Sequence, residues 1–240
     1  MNRRLPDILI LCGGLGMRLR SVVSDRPKPM ALVHDRPFLD WVVDHALSQG
    51  FRRMIFATGH QGEWIARHYE GRRDFTAVIA HEDEPRGTAG ALRTCRPLIE
   101  TETVVIMNGD SLCQLDVQAL LAAHAERAAR VTVAVIPATD RTDGGGLTID
   151  SQGQVVSFQE KGPGPLMNAG VYAMQASLID TMPNRVPCSL ERDVFPSLCS
   201  AGLYAFVTDA PVYDIGTPAR LAEFQAMVYR AADRQPSPVL

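Results

Sequence analysis

Asp7-Ile-Leu-Ile-Leu11 runs directly into Cys12-Gly-Gly-Leu-Gly-Met-Arg-Leu-Arg20, and Arg26-Pro-Lys-Pro-Met30 follows within ten residues. The apolar run reads as a strand, and Gly13, Gly14 and Gly16 after it allow backbone N–H groups to close around an anion. Arg18 and Lys28, the latter clamped between Pro27 and Pro29, supply neutralising charge. The stretch therefore predicts a polyphosphate cradle at the mouth of an α/β sheet. Two other glycine motifs are excluded. A dinucleotide fingerprint built on Gly14 and Gly16 needs a glycine where Leu19 stands, and the Gly-Lys-Ser/Thr of a Walker loop does not occur. A βα turn that needs its glycines only for packing is the plainer alternative. The added Arg18 and Pro27-Lys28-Pro29 favour phosphate.

Outward from this loop, strand-like runs at Asp7–Leu11, Arg53–Thr58, Thr76–His81, Thr103–Met107 and Val131–Ile136 alternate with amphipathic segments at Pro37–Gln49, Gly62–Tyr69, Thr88–Leu98 and Val117–Arg127. Such alternation predicts an α/β, Rossmann-like, mostly parallel sheet flanked by helices. Ligands then bind outside the carboxyl ends of the strands, where the glycine loop lies. Beyond Pro137 the pattern changes. Leu147–Asp150 and Val155–Gln159 around Ser151-Gln-Gly153 predict a hairpin, Gly164–Met174 a further strand, and Ser189–Cys199 a helix. Thr217 as N-cap and Pro218 at the first helical position predict a last helix to about Arg230, with Arg234–Leu240 frayed beyond it. No linker divides the chain, which is expected to form one domain over residues 1–240.

Composition narrows the function classes. With 240 residues and 46% hydrophobic content the chain can bury a substantial core. Its 24 basic and 27 acidic residues give a net charge of −3, far from a sequence-independent nucleic-acid binder. No apolar run reaches membrane-spanning length and the N-terminus lacks a signal-peptide core, so no membrane partner is expected. Five cysteines at irregular spacing, without C-x-x-C, read as reduced thiols in a cytoplasmic protein, Cys12 being a small packed residue. The six histidines show no metal spacing, and no Ser-His-Asp or G-x-S-x-G pattern offers a hydrolytic nucleophile.

Two aspartates follow strand-like runs: Asp110 closes Val104-Val-Ile-Met-Asn-Gly-Asp110, and Asp214 closes Pro211-Val-Tyr-Asp214. Facing the glycine loop, they could hold Mg²⁺, a hard cation suited to carboxylate and phosphate oxygens. An Asx turn at Asn108-Gly109-Asp110 and a helix-capping role for Asp214 stand equally open. Glu160-Lys161 could meet hydroxyls and a second phosphate, although such a pair is commonly a solvated face. The loop Glu82–Ala91 could line a flat base through its backbone or simply start a helix.

Taken together these pieces resemble the sugar-1-phosphate nucleotidyltransferase family over nearly the whole chain. Gly13-Gly-Leu-Gly-Met-Arg-Leu with Pro27-Lys-Pro29 is similar to the family's G-G-x-G-[ST]-R-L…P-K-P pattern. Gly87-Thr-Ala-Gly90, Asn108-Gly-Asp110, Glu160-Lys161, Asn168-Ala-Gly-Val-Tyr172 and Asp214-Ile-Gly-Thr217 follow in the expected order. The resemblance implies a nucleoside triphosphate held at Leu11, Gly13, Gly14, Gly16, Arg18, Lys28, Gly87, Thr88 and Asn108. It implies sugar contacts at Gly109, Glu160, Asn168 and Gly170, the sugar phosphate at Lys161, and Mg²⁺ at Asp110 and Asp214. Arg18, Lys28, Lys161 and Asp110 would carry the catalysis. Residues 1–136 would form a nucleotide-binding half, and residues 137–240 a sugar-binding half with the small antiparallel subregion over the sugar site and the C-terminal helix.

The implied reaction is in-line attack of a sugar 1-phosphate oxygen on the α-phosphorus of the triphosphate, releasing pyrophosphate. The nucleophile is already anionic, so no general base is required. Pro37-Phe-Leu-Asp40, Ser189-Leu-Glu-Arg-Asp193 and Tyr213-Asp-Ile-Gly-Thr-Pro218 resemble the D-glycero-α-D-manno-heptose 1-phosphate guanylyltransferase branch, which implies GTP and a heptose 1-phosphate. A mannose-1-phosphate guanylyltransferase or a uridylyltransferase for another sugar 1-phosphate is the neighbouring alternative; a non-catalytic sugar-nucleotide-binding regulator is the alternative of another class. Two positions depart from the family pattern. Met17 replaces the usual Ser or Thr, removing a hydroxyl contact, and Gly144-Gly-Gly-Leu147 stands where a Tyr-Gly-Val-like segment is common. The sequence is compatible with a monomer or a homo-oligomer.

Overall fold

A computed structural model describes residues 4–14, 16–138 and 145–232. In chain order the elements are β1 (Asp7–Leu11), β2 (Leu32–Val33), β3 (Arg36–Pro37), α1 (Phe38–Ser48), β4 (Arg53–Thr58), α2 (Glu63–Tyr69), β5 (Thr76–His81) and α3 (Gly87–Cys95). There follow β6 (Thr103–Asn108), β7 (Ser111–Cys113), α4 (Val117–Glu126), β8 (Val131–Pro137), β9 (Gly146–Ile149), β10 (Val155–Gln159), β11 (Leu166–Gln175) and α5 (Ala176–Ile179). The chain closes with α6 (Phe195–Leu198), β12 (Leu203–Val207), β13 (Val212–Asp214) and α7 (Pro218–Ala232).

Among the described residues nine strands form one sheet. β5, β4, β1 and β6 run parallel, so the residues following Leu11, Thr58, His81 and Asn108 emerge at one edge. β11 pairs antiparallel with β6 and with β8, and β12 adds in parallel to β8. The expected mostly parallel sheet is therefore present. The predicted hairpin is also present as β9 and β10, joined to this sheet through β11. Separate two-stranded ladders are β7 with β13 and β2 with β3.

Period-two alternation in β1 shows why the sheet has two cores. Ile8 and Ile10 point into a cluster with Phe38, Val42, Phe56 and Phe224, whereas Leu9 points into one with Ile55, Ile106, Leu92 and Tyr172. Residues such as Ile8, Leu9 and Ile10 are wholly buried, and each such side chain contributes roughly 1.5–3 kcal/mol. Phe224 of α7 packs edge-on against Phe38 at 5.1 Å between centroids, which fixes the last helix over α1. Among the described residues no helix is long and apolar enough to cross a membrane.

Element bounds differ from expectation at a few ends. Thr103–Asn108 and Val131–Pro137 each run one residue longer, and β11 begins at Leu166 rather than Gly164. The helix expected over Ser189–Cys199 is instead a π-helical turn, Leu190–Val194, followed by the single turn of α6. Pro196 lacks the N–H that a continuous α ladder would need there. Strands β2, β3, β7 and β12 were not expected. The expected frayed tail Arg234–Leu240 and Gly144 lie outside the described residues.

Candidate active site

The glycine loop and the Asn108-Gly109-Asp110 turn leave adjacent parallel strands and touch at once. Gly109 N donates to Leu11 O at 2.9 Å, and Cys12 N donates to Ala57 O at 2.8 Å. Gly16 packs on Lys28, whose Cβ lies 3.2 Å from where a Cβ on Gly16 would stand. Met17–Leu19 and Lys28–Met30 each form one 3₁₀ turn, leaving Arg18 exposed and the Lys28 side chain 13% exposed.

Lys28 Nζ donates to Asp110 Oδ2 at 2.6 Å, across 82 positions of chain. Asp110 also accepts, through its main-chain oxygen, from Ile215 N at 3.1 Å. The β7–β13 ladder places Asp214 opposite Ser111, so both expected metal carboxylates flank one short antiparallel ladder. Asp214 Oδ1 accepts from Gly216 N at 2.9 Å and from Arg220 Nη1 of α7 at 3.0 Å. From the position of a Cβ on Gly216, Asp214 Oδ1 lies 2.9 Å away, Arg18 Nη2 3.5 Å and Lys28 Nζ 3.6 Å. Arg18, Lys28, Asp110 and Asp214 thus converge beside Gly216. Asp214 bonds Gly216 N in the turn before α7 rather than a backbone N–H of the helix itself, so the helix-capping alternative is not the contact it makes there.

The second group assembles around β11. Asn168 Oδ1 accepts from Gly170 N at 2.9 Å, and Asn168 Nδ2 donates to Tyr172 Oη at 2.8 Å. Gly170 sits at φ 75°, and a Cβ there would come 2.7 Å from Asn108 Nδ2. Only glycine holds that left-handed backbone at this separation without strain. β11 therefore abuts the turn carrying Asn108, Gly109 and Asp110. Glu160 lies at the end of β10, 3.8 Å from Arg192 Nη1, and both are exposed. Lys161 is exposed with no ionic partner among the described residues. Neither Glu160 nor Lys161 contacts the Lys28–Asp110 group.

The Gly87-Thr88 segment is a helix start, α3. Its early donors Ala89 N and Gly90 N are taken by Cys188 O at 3.0 and 3.3 Å. Thr88 Oγ1 donates to Glu191 Oε2 at 2.8 Å. Gly14 is exposed, with nothing within 4 Å of a would-be Cβ, and Met17 is 64% exposed. The Gly144–Leu147 departure has a packing cause at Gly146, where a Cβ would approach Gly162 O to 2.6 Å and Pro163 O to 2.7 Å.

Sequence reasoning missed Glu82. It is 8% exposed at the carboxyl end of β5, and Oε2 lies 3.6 Å from where a Cβ on Gly13 would stand. Thr94 Oγ1 donates to Oε1 at 3.4 Å, and Oε2 has no hydrogen-bond partner among the described residues. Burial pushes this carboxyl above its ordinary range, against the weaker pull of Thr94, Arg86 and His81. No residue pattern marks a buried glutamate in a loop. Cys12, expected to be a packed residue, is buried, and its thiol is pushed up by burial first and by Asp110 second. No group of three or more His, Cys, Asp and Glu side chains poised for a metal occurs among the described residues.

Comparison with known proteins gives the chain's family. The model of the nucleotidyl transferase family matches residues 8–230. The D-glycero-alpha-D-manno-heptose 1-phosphate guanylyltransferase of Aneurinibacillus thermoaerophilus is 33% identical over 88% of this chain and 94% of its own length. The mannose-1-phosphate guanylyltransferase of Mycobacterium tuberculosis is 30% identical over 98% of this chain and 67% of its own. The crystal structure of HddC from Yersinia pseudotuberculosis complexed with GMP-PN superposes with a TM-score of 0.82 at 30% identity, covering 93% of this chain and 100% of that one.

Proposed function

From the premise that this chain belongs to the nucleotidyl transferase family, we propose that it joins GTP to a sugar 1-phosphate with release of pyrophosphate, the favoured acceptor being D-glycero-α-D-manno-heptose 1-phosphate. The observation that carries the reading is the convergence of Arg18, Lys28, Asp110 and Asp214 beside Gly216. Two anions must approach each other in this reaction, and positioned cations lower that cost more than any proton transfer would. In this reading residues 1–136 hold the nucleotide and residues 137–240 the sugar, within one domain.

Each residue then has a task. Gly13, Gly14 and Gly16 offer backbone N–H groups to the triphosphate, and Arg18 and Lys28 neutralise it. Gly87 and Thr88 line the base together with Leu11 and Asn108. Glu82 reads the base edge. A carboxylate accepts from N1–H and the 2-amino group of guanine, whereas adenine offers a lone pair at N1, so its unpartnered Oε2 favours GTP over ATP. Asn168, Gly109, Gly170 and Glu160 meet the sugar, and Lys161 its phosphate.

Nucleotidyltransferases of this family generally use a divalent metal, and the donor set here fits Mg²⁺. Mg²⁺ takes one or two protein carboxylates, phosphate oxygens and several waters, and Asp110 with Asp214 supplies two hard carboxylates beside the phosphate-facing cations. Bound there, the ion neutralises charge on the triphosphate. Lys28 also holds Asp110 in place for that task. The unpaired state of all five cysteines supports a cytoplasmic setting.

The heptose acceptor is favoured because the relative named for it matches across 94% of its own length. Mannose 1-phosphate is the second reading, supported by the mycobacterial relative's match over 98% of this chain. Pyrophosphate release from GTP, ATP, UTP and dTTP against heptose, mannose and glucose 1-phosphates decides between them. Turnover with mannose 1-phosphate and none with the heptose overturns the favoured acceptor; no turnover with any pair overturns the activity.

A further inference from the structure

The π-helical turn Leu190–Val194 has no part in the reaction as set out above, yet it touches both halves of the site. Glu191 is its centre. Glu191 Oε2 accepts from Thr88 Oγ1 at 2.8 Å and from Ser189 Oγ at 2.9 Å, while Oε1 accepts from Tyr172 Oη at 3.3 Å. Tyr172 Oη in turn accepts from Asn168 Nδ2 at 2.8 Å, and Asn168 Oδ1 accepts from Gly170 N. Thr88 Oγ1 also accepts from Leu190 N at 2.8 Å, so the turn and the α3 start are bonded twice. The next residue, Arg192, reaches Glu160. An unbroken chain of hydrogen bonds therefore runs from Thr88, through Glu191 and Tyr172, to Asn168 and the backbone of Gly170.

The chain has few alternative arrangements. Tyr172 is wholly buried, and burial with the nearby Glu191 pushes its hydroxyl up, so it keeps the proton that it donates. Ser189 N is fixed by Asp193 Oδ2 at 2.7 Å, and Cys188 O takes the first donors of α3. The register of β11 against β8 breaks between Asn168 and Tyr172, so Asn168, paired with Val135, is the last ladder residue before the break, and its side-chain bonds to Gly170 N and Tyr172 Oη span it. Charge-assisted hydrogen bonds are stronger than neutral ones, and interruptions of helical geometry of this kind concentrate at functional sites.

We propose that Glu191 is a positioning residue that couples the two substrate segments, so that a nucleotide ordering Thr88 also orders Asn168 for the sugar 1-phosphate. The inference rests on the nucleotide and sugar assignments made above. It accounts for a carboxylate at position 191 that meets neither reacting phosphate: its two oxygens serve one half of the site each.

Amide hydrogen exchange with and without GTP and Mg²⁺ tests this without any sugar. In the wild type, GTP slows exchange in residues 87–92 and also in residues 166–172. In Glu191→Gln, protection of 87–92 persists and protection of 166–172 is lost. Tyr172→Phe, which removes one hydroxyl and keeps the ring, gives the same loss and serves if the first variant does not fold. At saturating GTP both variants raise the KM for the heptose 1-phosphate about tenfold, as expected for one charged hydrogen bond lost. Undiminished protection of 166–172 in the variants overturns the coupling. Wild-type protection confined to 87–92 overturns it too while leaving the nucleotide reading intact. Absence of protection in both segments of the wild type overturns the nucleotide reading and the coupling with it.

Discussion

Replacing Asp110 with Asn separates chemistry from folding more cleanly than any other change in the site. The Asp110 side chain is 39% exposed and its pair with Lys28 is single, at 2.6 Å. A half-exposed pair is worth about 1 kcal/mol or less, and Asn still offers Lys28 an oxygen. The turn itself is held by main-chain bonds, Ile215 N to Asp110 O and Gly109 N to Leu11 O, which the substitution leaves alone. The melting temperature should therefore fall by only about 2–4 °C for a chain of this size. Turnover should fall about 100- to 1,000-fold, since one of the two carboxylates beside the phosphate-facing cations loses its charge, a loss of about 2.7–4 kcal/mol in barrier. Pyrophosphate release at saturating GTP, Mg²⁺ and acceptor measures the first quantity, and thermal melting the second. Turnover within about threefold of wild type would remove Asp110 from the mechanism. An equal loss of activity and of folded protein would refute the claim that the turn stands without its side chain.

Glu82→Gln should lower the preference for GTP over ATP about tenfold or more in kcat/KM, since an amide can donate to adenine N1; an unchanged ratio assigns base choice elsewhere. Gly170→Ala forces a Cβ to 2.7 Å from Asn108 Nδ2 in a left-handed backbone, so the KM for the sugar 1-phosphate should rise about tenfold with stability reduced by about 1–3 kcal/mol. A KM unchanged in the folded variant would detach Gly170 from the sugar site. Stability should also depend on pH through His124, buried against Thr132 Oγ1 at 3.0 Å and held by burial below its ordinary pKa of 6.5. The unfolded chain binds the proton more readily, so this contribution is full above pH 6.5 and is lost as pH falls below it. Glu82, shifted upward, acts with the opposite sign from about pH 4.5 upward. Melting between pH 7 and pH 5 should fall in the wild type and flatten in His124→Asn; equal slopes would refute the assignment.

What the sequence makes legible here is whatever the chain decides locally, together with what parallel topology forces. Asp7–Leu11, Arg53–Thr58 and Thr76–His81 have the bounds that their apolar runs predict, because each is flanked by a breaker or a polar turn within two residues. Once β1 and β6 are parallel neighbours, the glycine loop and the Asn108-Gly109-Asp110 turn must share an edge, and the contact of Gly109 N with Leu11 O follows from topology rather than from any local pattern. β12 escaped because Leu203–Val207 is a five-residue apolar run whose length fits a strand or a buried helical turn alike, and its place is set by parallel pairing with β8. Glu82 and Glu191 escaped for a deeper reason. A glutamate in a loop is ordinarily solvated, so its value lies wholly in what the fold packs around it. Glu82 becomes buried only when the ends of β4 and β5 close on Gly13 and α3, and Glu191 meets Thr88 only across 103 positions. The charges proposed to face the phosphates sit in loops recognisable by their glycines and prolines. Residues that discriminate and couple need to be desolvated, and desolvation is a property of the packed chain. The residues proposed for the two substrates were thus readable as motifs, whereas Glu82 and Glu191, proposed to set base preference and to join the subsites, became visible only as burial and hydrogen bonds.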